Sequence, residues 1–86
     1  MNAHRDARAM RSLLAQVAAL GHEIRHYQSA DPTLIIVECS CGFGTAPLFP
    51  SGAADETWTH GRQVVHDAEI AAQAARLAQV RRARGW

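Results

Sequence analysis

Apolar positions recur at helical spacing towards both ends of the chain and in strand-like runs between them. Met10, Leu13, Leu14, Val17 and Leu20 fall on one face of a helix predicted from Asn2 to Leu20. Arg5, Arg8 and Arg11 lie mostly on its other side, and Gly21 stands where a helix stop is expected. His22 to Gln28 reads as a short strand with His22, Ile24 and His26 on one face. Ser29-Ala30-Asp31-Pro32 is a turn signature, and Thr33 to Cys39 follows as a buried strand built on Leu34-Ile35-Ile36-Val37. The two strands form an antiparallel hairpin. Gly42-Phe43-Gly44-Thr45 marks a second tight turn, after which Thr45 to Phe49 is a candidate third strand ended by Pro47 and Pro50.

Ser51 to Ala54 reads as a loop or a helix entry, with Asp55 and Glu56 where the positive end of a helix dipole favours acidic groups. From Gln63 to Arg84 the pattern is helical and alanine-rich, with Ile70, Ala74 and Leu77 along one stripe. The expected fold is α+β: an N-terminal helix, a small antiparallel sheet of two or three strands and a long C-terminal helix. The whole chain, residues 1–86, is expected to form one small domain.

At 86 residues, burial alone leaves such a domain marginal, and a structural metal is a common remedy. Apolar residues make up 48% of the chain, but many are alanine, which adds little buried area. The net charge of +1 argues against a generic polyanion binder. No run approaches the ~18 apolar residues of a membrane span, and the charged N-terminus does not resemble a signal peptide. A cytoplasmic location without membrane association is therefore expected, where two close cysteines are metal ligands or redox groups rather than a disulfide.

The only cysteines, Cys39 and Cys41, sit in Glu38-Cys39-Ser40-Cys41-Gly42 at the end of the apolar strand. Residues i and i+2 of a strand project from the same face, so both sulfurs leave on one side. Gly42 allows the chain to turn tightly around whatever they hold. Trp58, His60 and His66 follow downstream. Zinc takes four tetrahedral nitrogen or sulfur ligands, and Cys39, Cys41, His60 and His66 supply that number, leaving no position open for catalysis. Nearby backbone amides, that of Gly42 among them, are candidate donors to the thiolates.

One geometric conflict accompanies this set. Six residues along an ideal helix give a net rotation of roughly 240° and a rise of ~9 Å, so two such imidazoles do not converge. Either Gly61 breaks the helix directly after His60, or the helix runs unbroken from Asp55 and His22 or His26 completes the site. A redox pair would need a thiol in an electropositive setting, which Glu38 does not provide. No serine, lysine or carboxylate cluster suggests hydrolysis, and no enzymatic activity is expected.

The run Val37-Glu38-Cys39-Ser40-Cys41-Gly42-Phe43-Gly44, with Trp58 and a histidine-bearing alanine-rich helix, resembles small zinc-finger-like proteins of actinobacteria and their phages. The resemblance spans Thr33 to Ile70 and implies metal binding and a small interaction module. The expected function is that of a non-catalytic, zinc-stabilised module docking on a protein partner, in one version a phage-encoded effector of a host complex. One alternative is nucleic-acid binding through Arg76, Arg81, Arg82 and Arg84, which otherwise complement the helix dipole. Another is a structural or virion component whose alanine-rich helix pairs with copies of itself.

Overall fold

The computed structural model describes residues 6–85, in the order α1 (Ala7–Ala19), β1 (Ile24–Gln28), β2 (Ile35–Cys39) and α2 (Pro50–Ala83). The expected α+β arrangement is therefore present: a helix, an antiparallel two-stranded sheet and a long closing helix. Asp6 caps α1, its carboxylate accepting from the Arg8 N–H at 2.9 Å. The portion of the predicted first helix from Asn2 to Arg5 lies outside the described residues.

The strands pair with Ile24 opposite Cys39, His26 opposite Val37 and Gln28 opposite Ile35. Val37 and Cys39 on that face are buried, while Arg25, Tyr27 and Glu38 on the other face are exposed. Each strand starts two residues later than its predicted start at His22 or Thr33.

The segment Thr45 to Phe49 returns beside β2 without becoming a third strand: Leu48 makes an isolated bridge with Ile35, and Gly44, just before the segment, makes one with Glu38. The cause is chemical. Pro47 has no N–H for a ladder, and the Val37 N–H is taken by the Thr45 hydroxyl at 3.1 Å instead of by a backbone carbonyl.

The larger correction concerns α2, which begins at Pro50, thirteen residues before the expected Gln63. Proline suits the first helical position because its fixed φ is already helical and the missing N–H would have had no partner there. Gly61, a candidate break, is instead buried inside the helix. A Cβ there would lie 2.9 Å from Leu13 Cδ2 and 3.1 Å from Leu13 Cγ, so the glycine is what lets α1 sit against α2. A close approach of two helices, not a turn, accounts for it.

Leu13 and Val17 of α1 meet Val64 and Val65 of α2, with Ile24 and Trp58 at the edge of the cluster. The largest wholly buried side chains are Val17, Val37 and Thr57. Among the described residues no aromatic is wholly buried, so the core is small, and a staple gains weight accordingly. Only the first half of α2 takes part. From Glu69 to its end every described residue is exposed, and the molecule extends 60 Å along its longest axis.

Candidate metal centre

Three segments deliver four ligating atoms to one point. The first is the end of α1. Gly21 takes φ +84°, its N–H donates to the Ala18 carbonyl at 3.0 Å, and the His22 N–H donates to the Val17 carbonyl at 3.2 Å. This double closure is a Schellman motif, and it fixes where His22 leaves the helix.

The second segment is the turn after β2. The Gly42 N–H donates to the Cys39 carbonyl at 3.0 Å, and the Cys39 N–H donates to the Phe43 carbonyl at 2.9 Å. Gly42 sits at φ +99°, in the left-handed region that a three-residue hairpin loop with a bulge requires. The Gly42 amide, expected as a donor to a thiolate, is thus committed to a carbonyl. Cys39 is buried, Cys41 is exposed, and both are free thiols.

The third segment is α2, which presents His60. Its ring stacks on Phe43, with centroids 4.1 Å apart and planes 7° from parallel. Burial, and then the neighbouring His22, hold the His60 imidazole below its ordinary pKa, which keeps it in the neutral form that ligates metals.

The ligand atoms of His22, Cys39, Cys41 and His60 all lie within 4.8 Å of one another. His22 Nδ1 is 3.6 Å from Cys39 Sγ, and His60 Nε2 is 3.4 Å from Cys41 Sγ. A zinc tetrahedron with ordinary bond lengths has a nitrogen-to-sulfur edge of roughly 3.5 Å. Both spacings fit that edge.

Of the four residues expected from the sequence, Cys39, Cys41 and His60 come together here. His66 does not. On the unbroken helix it faces solvent beside a shallow depression lined by Trp58, Thr59, Arg62 and Gln63. The fourth position is occupied by His22. His26 is engaged elsewhere: the Thr57 hydroxyl donates to the Ala53 carbonyl at 2.8 Å, so it accepts from His26 Nε2–H at 2.7 Å. His22 stands directly after the stop glycine and in phase with Ile24, but His26 shares that phase, so the sequence leaves the two open.

Arg76, Arg81, Arg82 and Arg84 are exposed near the end of α2. At 100° per residue they point at roughly 0°, 140°, 240° and 80° around the axis, so they encircle the helix rather than form one basic stripe. No described helix is long and apolar enough to cross a membrane.

Neither family models, nor curated proteins, nor solved structures match this chain.

Proposed function

We propose that the chain is a non-catalytic protein-interaction module whose small fold is held by one structural zinc ion on His22, Cys39, Cys41 and His60. The observation that carries this reading is the convergence of two sulfurs and two imidazole nitrogens from three separate segments. Soft thiolates with imidazoles favour zinc over hard cations, and four protein ligands leave no position for a reacting water. The ion ties the end of α1, the turn after β2 and the first half of α2 together. It thereby supports the exposed second half of α2, which serves as the contacting element.

Elemental analysis of purified protein and of single variants tests this. About one zinc per chain is expected in the native protein, with loss of zinc in His22→Ala and Cys39→Ser and full retention in His66→Ala. Zinc retained in His22→Ala and lost in His66→Ala would overturn the ligand assignment.

A further inference from the structure

Resting on the reading of the α2 arm as the contacting element, we infer that its partner is a second copy of this chain, paired antiparallel along the stripe of Ile70, Leu77 and Val80. These three side chains are 51%, 59% and 46% exposed. By helical phase Ile70 and Leu77 lie on the side of α2 opposite Gly61, Val64 and Val65, with Val80 on its flank, and every described residue from Glu69 onward is exposed, so α1 and the sheet do not reach the stripe. A helical segment of 15 residues without tertiary packing is marginal in water, and a neighbour along its apolar side stabilises it.

Charge selects the occupant and its direction. Ile70 and Leu77 stand seven residues apart, with Gln73 and Val80 three residues after each, which is a heptad seam. Pairing two seams head to tail sets Ile70 opposite Val80 and Gln73 opposite Leu77. The same register brings Asp67 of each copy beside Arg81 of the other, twice per dimer. Parallel pairing would instead gather Arg81, Arg82 and Arg84 of both copies at one end and align the two helix dipoles. The antiparallel register has one like-charge contact, Arg76 with Arg76, at its centre. Two such arms bury of the order of 1,000 Å² in total, the low end of specific interfaces, so the expected dimer is weak, with an affinity between about micromolar and about millimolar.

Sedimentation equilibrium of the zinc-loaded chain tests this, from about 1 μM to about 1 mM, a range that brackets such an affinity. A monomer–dimer equilibrium is expected, abolished by Leu77→Glu and by Ile70→Glu with zinc content unchanged. Asp67→Arg and Arg81→Asp should each weaken dimerisation roughly five- to ten-fold, and the double variant should recover it. A zinc-loaded chain that stays monomeric throughout would overturn the second copy as partner and leave the zinc module intact. Dimers without charge-swap recovery would overturn the antiparallel register. Absence of zinc from the purified chain would instead overturn the reading on which this inference rests.

Discussion

Ser40 and Glu23 hold each other by two hydrogen bonds: the Glu23 N–H donates to Ser40 Oγ at 2.9 Å, and the Ser40 N–H donates to the Glu23 carbonyl at 3.0 Å. Each is the chain neighbour of a residue of the candidate metal cluster, Glu23 of His22 and Ser40 of both cysteines. The pair sets the spacing of two of the segments that build the cluster. Ser40→Ala should leave the Glu23 N–H without its partner at a cost of about 1 kcal/mol. Zinc affinity is expected to fall with it, as measured by competition with a chromogenic chelator; unchanged affinity would mean that the clamp does not organise the site.

Gly61 marks the closest approach of the two helices. Gly61→Ala gains about 1 kcal/mol of helix propensity but forces Leu13, 2% exposed, out of its position at about 1–3 kcal/mol. The packing loss exceeds the propensity gain, so a lower thermal midpoint is expected. A raised midpoint would show that α1 moves aside freely.

His26, Thr57 and Ala53 form a short relay of hydrogen bonds from β1 to α2. Thr57→Val keeps the shape of the buried side chain and removes the acceptor for His26, and it should cost about 1 kcal/mol in chemical denaturation. Because His26 is not a ligand in this account, zinc stoichiometry should not change. A His26→Ala variant that loses zinc would contradict that placement.

Acid should release the metal. Thiolates and neutral imidazoles bind zinc, and protons compete for the same atoms. His60 in the folded protein sits below the ordinary histidine value of 6.5, so the unfolded chain takes up its proton at higher pH than the folded one. Stability from this group is therefore complete above that value and is lost as pH falls through the lower, folded value. Zinc release and loss of helicity should coincide on acidification, followed together by a metal-sensitive dye and circular dichroism. Helicity that persists after complete release would separate the fold from the ion.

Much of the architecture could be read from the residues themselves. Gly21 stops α1 as expected, Asp31 and Ser29 turn the hairpin, and Gly42 closes the loop that carries the two cysteines. The start of α2 is not legible locally because Gly61 carries the signature of a breaker, whereas it answers to Leu13, far away in sequence. The same point decided which histidine joined the site. With the helix continuous through Gly61, His60 faces the cysteines and His66 turns away, and the ligand that completes the cluster lies on the opposite flank of the chain, at His22. Helical phase shows which residues share a face; it does not show which distant segment comes to meet them.

Zinc-edge X-ray absorption on the purified, unmodified protein is the most direct measurement of the central claim. Two sulfur scatterers at about 2.3 Å and two imidazole nitrogens at about 2.0 Å are expected around each zinc. A shell of nitrogen and oxygen alone, or a zinc that carries bound water in place of an imidazole, would contradict it.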